Sequence, residues 1–403
     1  MEFSGGALLV TAVIAVLAPL ISEIPIGLRL PMVAVEVGLG IVVGPQVLGW
    51  GSPTGMLALL GYLGLIFLFF LAGMEIDFKA IRGKPLALAI PGWILSVLVA
   101  FSIAAILFRM GIIQAPLLVG VALTTTGIGA LMPILRDSGE LGTRFGTYVV
   151  AAGAMGEFGP IMLLSLLLTR EHTRWLQTAL MIFFVIFALV AAGLALAPKP
   201  PRAVAYLAKT MNSTSQLPVR ISILVLALLI SLAEKFGLDM ILGAFTAGMI
   251  VSLGTAKGKH EERLHHRLEA IGYGFLIPMF FVTSGMHFDV HALFASRQAL
   301  LRLPIFLVLL FVARSVPVVL YRYELPKKDH LAFALYSATS LPLLIAISEI
   351  GVQTHRMLPD NAAALVGAGI VSILLFPITA MFSRRKVSSH APIHAAALQD
   401  REE

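Results

Sequence analysis

The chain has 403 residues, 58% of them apolar and 13% charged, with a mean hydropathy of +0.94. Soluble domains carry roughly 25% charged residues, so a water-soluble globule is nearly excluded. Apolar runs of about 20 residues between short charged loops mark a polytopic helical membrane protein instead. The net charge of +7 is a property of the loops and not a nucleic-acid footprint, and the absence of cysteine excludes disulfides, thiolate catalysis and cysteine-ligated metals.

Thirteen spans are predicted, at about 7–24, 30–47, 55–77, 85–108, 115–135, 145–169, 173–197, 218–236, 238–254, 268–288, 299–321, 329–350 and 362–383. The start, MEFSGGALLVTAVIAV, lacks the basic residues of a signal peptide and reads as part of span one. Span two holds a lone acid, Glu36, in PMVAVEVGLGIVVGP. It is a candidate second acid of a transport site, with structural pairing or a dimer interface as the favoured readings. Span three ends in GMEID, where Glu75 and Asp77 stand near Lys79 as capping or loop-pairing groups.

Span five contains TTTGIGALMP, in which glycine and proline free backbone groups that the hydroxyls of Thr124, Thr125 and Thr126 can satisfy again. Span six carries GAMGEFGP, with no charge between Arg144 and Arg170 except Glu157. A carboxylate there costs at least ~2–3 kcal/mol at the bilayer centre and marks a functional site by default. The loop 198–217 is the boundary between two halves. The expected organisation is 1–197 as first half with the N-terminal span and first repeat, 198–217 as cytoplasmic linker, 218–385 as second half with an inverted repeat, and 386–403 as a short polar tail.

In the second half, Asp239 reads as a helix start at an outer end. The stretch KGKHEERLHHRLE reads as an amphipathic cytoplasmic linker. Its His260-Glu261 and His265 miss the H-E-x-x-H spacing by one residue, so a zinc protease is not supported. A pH-sensing role for these histidines stays open. Span eleven holds Arg314 far from both ends, and span twelve holds YSATSLP, with Ser337, Thr339, Ser340 and Pro342.

Lys and Arg set the orientation. Twenty lie in loops on the C-terminal side and seven in loops opposite, so the positive-inside rule puts the C-terminus in the cytoplasm and the N-terminus outside, in a plasma (inner) membrane of bacterial type.

The chain also repeats itself. Phe69, Gly73, Met74 and Asp77 match Phe281, Gly285, Met286 and Asp289 at a spacing of 212. Ala122, Leu123, Leu131 and Gly139 match Ala334, Leu335, Leu343 and Gly351 at the same spacing. That interval covers seven spans, an odd number, so the second copy is inverted. Inverted repeats with polar, interrupted helices in corresponding positions point to a secondary transporter with its site near the midplane. The expected fold is therefore an all-α polytopic membrane protein of about 13 helices in two inverted repeats, with two crossed, discontinuous helices.

FLFFLAGMEIDFKAI, the broken segment ending ILRDSGE, ILGAFTAGMIVSL and FLIPMFFVTSGMHFD together resemble the monovalent cation:proton antiporter superfamily, and within it the second family with Kef-type and Nap-type members. The resemblance covers spans two to thirteen. It implies a homodimer whose core domain moves like an elevator against a dimerisation domain, and an ion site at a span-six carboxylate beside the crossed helices. In relatives that position closes a pair such as Asp-Asp, Asn-Asp or Gln-Asp. Here the pair is Gly156-Glu157, a departure in which the glycine would leave room for the longer glutamate. Arg314 fits a basic position of the family and reads as a counter-charge for an intramembrane acid such as Glu157.

The expected chemistry follows. A hard monovalent cation wants oxygen ligands, available from Glu157, Thr125, Thr126, Ser337, Thr339 and Ser340, with Glu157 its charged ligand. A carboxylate held between desolvation and nearby positive charge binds either a proton or a cation, which suffices for exchange. One titrating acid implies one proton per Na⁺ or K⁺, hence electroneutral antiport. The alternative is a Kef-type regulated potassium efflux protein with a separate regulatory subunit; an organic-anion symporter on a crossed-helix fold ranks below both. No enzyme motif is present, and no cofactor beyond the transported Na⁺ or K⁺ and H⁺ is expected.

Overall fold

The computed structural model describes residues 5–22, 32–76, 81–168, 215–255, 259–294 and 297–388, with isolated positions 182, 186 and 190. The rest of the predicted span 173–197, most of the linker 198–217, Asp77, Lys79 and the tail beyond Ser388 lie outside them. The first half forms α1 (Gly5–Ser22), α2 (Met32–Val43), α3 (Gly55–Glu75), α4 (Lys84–Arg109), α5 (Pro116–Leu123), α6 (Ile128–Asp137) and α7 (Arg144–Leu168). The second forms α8 (Leu217–Lys235), α9 (Met240–Gly254), α10 (Lys259–Ile271), α11 (Ile277–His287), α12 (Val290–Phe294), α13 (Arg297–Ser315), α14 (His330–Ala338), α15 (Pro342–Gln353) and α16 (Pro359–Ser388). Among the described residues, eight helical segments are long and apolar enough to cross a membrane.

Four predicted spans take forms that apolar run length alone does not specify. Spans five and twelve are each two half-helices, α5/α6 and α14/α15, and Pro116 and Pro342 sit in the first turns of α5 and α15, where a missing N–H costs nothing. Span ten continues backward: α10, a π-helical turn at Gly272–Leu276 and α11 form one continuous rod. Span eleven tightens after Ser315 into a 3₁₀ segment, Val316–Tyr321, where Pro317 supplies no backbone N–H to an α-helical ladder.

The helices gather into two bundles. One holds α1–α3 with α8–α11; the other holds α4–α7 with α13–α16. In the first, α3 packs on α9 and α11 packs on α2, so each repeat lays its third helix against the second helix of the other repeat. These contacts are backbone to backbone. A Cβ at Gly73 would lie 2.1 Å from the Phe245 carbonyl oxygen, and one at its repeat partner Gly285 would lie 2.2 Å from that of Val37. Gly248 and Gly40 answer from the facing helices, at 1.9 Å from Phe70 O and 2.3 Å from Val282 O. Small residues that let backbones approach are the main source of helix association where lipid is as apolar as leucine.

Ion pairs close one end of the second bundle. Glu324 accepts from Lys84 Nζ (3.1 Å), Arg144 Nη2 (2.5 Å) and the Tyr148 hydroxyl (2.9 Å). Arg384 forks onto Glu140 and reaches Asp329 at 2.8 Å, with its guanidinium 3.9 Å from the centre of the Phe145 ring. All of these loops belong to the side that the charge count groups together. At the other end, Arg302 pairs with Asp360 and Arg356 Nη1 donates to Leu167 O (3.0 Å).

Candidate functional site

The two broken helices hold one another at their breaks. Side-chain hydroxyls add hydrogen bonds to the carbonyls at the interrupted helix ends: Thr124 donates to Val121 O (2.7 Å), Thr125 to Ala122 O (2.6 Å) and Thr339 to Leu335 O (2.9 Å). Across the crossing, the Gly127 amide donates to Thr339 O (2.9 Å), the Thr125 and Ser340 hydroxyls bond at 2.7 Å, and Thr126 Oγ1 donates to Ser337 O (2.5 Å). Thr125, Thr126, Ser337, Thr339 and Ser340 are thus brought together and are all buried. Most of their hydroxyls are engaged within the crossing, whereas Ser337 Oγ is buried with no hydrogen-bond partner.

Two long helices flank this knot. From α16, Ser372 Oγ donates to Ser340 O (2.9 Å) and accepts from Ser340 N (3.2 Å). From α7, Gly156 O accepts the Thr126 amide (2.8 Å), and the next residue is Glu157. Glu157 is 2% exposed. The amide of Ile128, first residue of α6, faces its carboxylate as a donor, while Oε2 is buried without a partner. The amide end of a half-helix is a natural neighbour for an anion. Phe158, one position on, stacks on Phe245 of α9 at 5.7 Å, so this turn of α7 faces the other bundle. At 212 residues from Glu157, α16 carries Gly369, whose Cβ position is 2.8 Å from Leu344 Cδ1 and 3.1 Å from Ser340 O.

Arg314 is buried, and its fork spans four partners: Nε donates to Ser337 O (3.1 Å), Nη1 to Ser96 Oγ (3.1 Å), and Nη2 to Thr126 Oγ1 (2.8 Å) and Ala152 O (3.1 Å). Its charge therefore sits on the carbonyl end of α14 and on α7, where the half-helix dipole is negative, and not in an ion pair with Glu157. The same side chain explains Gly156. A Cβ there would be 2.5 Å from Thr126 Oγ1 and 2.6 Å from Arg314 Nη2. The glycine makes room for threonine and arginine, and not for the longer glutamate as its position in the sequence suggests.

The remaining acids separate cleanly. Glu36 is 1% exposed inside the first bundle, with Oε1 unpartnered and no ion pair among the described residues. Burial within the chain removes the surface-facing and paired readings and leaves an acid apart from the crossing. Asp239 caps α9, accepting from the Ile241 amide at 2.8 Å, as a helix start should. Glu75 ends α3 and faces α10. Ser96, Ser372 and the Ala152 carbonyl escape sequence reading, because a single serine in an apolar span usually bonds its own helix and carries no separate signal.

Comparison with known proteins gives the chain's family and fold. The model of the family described as "Sodium/hydrogen exchanger, transmembrane" matches residues 12–382. YjbQ of Bacillus subtilis, which carries a sodium/proton antiporter name, is 28% identical over 400 residues, covering 93% of this chain; the chain spans 62% of YjbQ's length. GerN of Bacillus cereus, named a Na⁺/H⁺-K⁺ antiporter, is 30% identical over 288 residues, covering 68% of this chain and 70% of GerN. The solved structure of the sodium proton antiporter MjNhaP1 from Methanocaldococcus jannaschii superposes with a TM-score of 0.63 at 16% identity, covering 95% of this chain and 98% of that one, and so shares the fold. The chain belongs to the sodium/hydrogen exchanger family of transmembrane proteins, within the monovalent cation:proton antiporter superfamily.

Proposed function

We propose that the chain exchanges protons for a monovalent cation, Na⁺ or K⁺, across a plasma membrane, with Glu157 as the shared binding carboxylate. One observation carries this: in a sodium/hydrogen exchanger, the acid beside the helix crossing is buried, faces the amide end of α6 and keeps one oxygen without a partner. A proton or a desolvated cation completes that oxygen equally well, and competition between them couples the two fluxes. Thr125, Thr126, Thr339 and Ser340 hold the crossing in shape, and Glu157 and Ser337 offer the free oxygens. Arg314 fastens the carbonyl end of α14 and keeps that negative end from competing for the ion.

Alternating access follows from the two-bundle architecture. The crossing bundle travels as a unit, elevator fashion, against the glycine-packed bundle, which serves as the dimerisation domain of a homodimer. One titrating acid at the crossing makes the exchange one for one and electroneutral. The N-terminus lies outside and the C-terminus in the cytoplasm. The relatives named above carry antiporter names, and no observation favours gated potassium efflux.

The test is reconstitution into liposomes, following luminal pH as Na⁺, K⁺ or Li⁺ is added outside. Cation-driven proton efflux by the wild type, lost in Glu157→Gln with the fold intact, is the expected result, and GerN's name makes K⁺ worth testing beside Na⁺. Full activity in Glu157→Gln would move the site, with Glu36 first in line. A membrane potential generated by exchange would overturn electroneutrality.

A further inference from the structure

Away from the crossing, three side chains with metal-ligating atoms converge where α10 meets the end of α3. The candidate ligand atoms of Glu75, His265 and Glu269 all lie within 4.8 Å of one another, and each residue is half-buried. His265 and Glu269 are four residues apart on α10 and so share one face, with His265 Nε2 3.1 Å from Glu269 Oε1. Glu75 comes from the opposite wall, nearly 200 residues earlier. Its Oε2 is buried with no hydrogen-bond partner, and Oε1 has the Tyr273 hydroxyl at 3.5 Å. Glu75 also ends a helix, where the dipole favours a cation and not a second anion. A carboxylate with an orphaned oxygen, within 4.8 Å of an imidazole and a second carboxylate, offers a place for a positive ion.

We propose that Glu75, His265 and Glu269 form a binding site for a divalent transition-metal ion of the zinc class. Three nitrogen and oxygen ligands with a fourth position open to water suit an ion that prefers four-coordination and accepts imidazole. Magnesium and calcium, which demand six or more oxygens, fit poorly. The π-helical turn at Gly272–Leu276 re-aims the rod below α10 and presents Tyr273 to Glu75 and, at 3.5 Å, to the Gly129 carbonyl of α6. Arg136, at the end of α6, stands 3.8 Å from Glu269 Oε1 and the His266 ring nitrogen Nδ1 3.1 Å from Oε2, so a metal competes with both for that carboxylate. Because α6 belongs to the crossing bundle and α10 to the other, metal at this site competes with a contact between the two bodies.

The experiment is zinc titration of the purified full chain by calorimetry, with zinc chloride alone as the probe. The expected result is one site per chain, weakened at least about 10-fold in His265→Ala and in Glu269→Gln, a loss seen even for outer-sphere partners of metals. Arg136→Gln removes the competing cation and is expected to tighten binding. His287→Ala, an exposed histidine elsewhere, should leave binding unchanged. His265 is partly exposed, so its alanine variant is expected to remain monodisperse, and Glu75→Gln supplies a third ligand variant. No zinc binding by the wild type, equal binding in His265→Ala, or displacement of zinc by equimolar magnesium would each overturn the proposal.

Discussion

The two bundles solve the same problem in opposite ways. In the first, helices meet through glycine, with backbone against backbone and few polar atoms between them. In the second, they meet through broken ends, with amides, carbonyls, hydroxyls and one guanidinium joined across the crossing. Glycine contacts tolerate no added atom but hold no charge. The polar crossing tolerates charge because backbone groups freed at the breaks, such as the Gly127 and Thr126 amides and the Ser337 carbonyl, find partners there. The two bundles thus divide the work: a wall that keeps its shape and a centre with polar groups to place.

That contrast can be broken from either side. The largest effect is expected from Gly248→Val, whose Cβ would stand 1.9 Å from the Phe70 carbonyl oxygen. Neither backbone can yield without separating α3 from α9, and the expected loss is at least about 4 kcal/mol. Size-exclusion chromatography should show little monodisperse protein. A well-behaved variant with wild-type Tm would mean that the first bundle is not held by that seam.

Next comes Arg314→Lys. An ammonium keeps the charge but cannot fork to Ser337 O, Ser96, Thr126 and Ala152 O at once. A loss of about 2–3 kcal/mol is expected, together with slower exchange in liposomes. Wild-type Tm with abolished exchange would instead show that the arginine serves the transport cycle and not the stability of the crossing.

The smallest effect belongs to Glu324→Gln, outside the membrane spans. Its partners Tyr148, Lys84 and Arg144 hold the Glu324 carboxyl down to about 2, from an ordinary 4.5. A lowered carboxyl contributes stability that is complete above about 4.5 and disappears as pH falls through about 2. Thermal unfolding should therefore place the variant slightly below wild type at pH 7, with the gap closing in that acid window. A gap that widened on acidification would contradict the assignment.

Much of this was legible because polar residues in apolar runs are conspicuous. Glu157 stood alone between Arg144 and Arg170, and the 212-residue interval paired both breaks. Partnership was not legible. Arg314 and Glu157 look like natural partners in a list of buried charges, yet the arginine answers carbonyls, which a sequence does not display as charges at all. The role of Gly156 was misread for the same reason: its neighbours, Thr126 and Arg314, come from helices 30 and 158 residues away. The histidine-rich stretch looked self-contained, whereas the acid that completes its cluster sits at the end of α3.

The glycine at 369 has a wider meaning. A chain made of two copies of one unit starts with its chemistry doubled, and in this one only the scaffold has stayed doubled. With Leu344 and Ser340 close against position 369, an acid placed there to restore the symmetry of Glu157 would have to push the leucine side chain aside. The second copy has become the mould that holds the crossing, and the first has kept the charge.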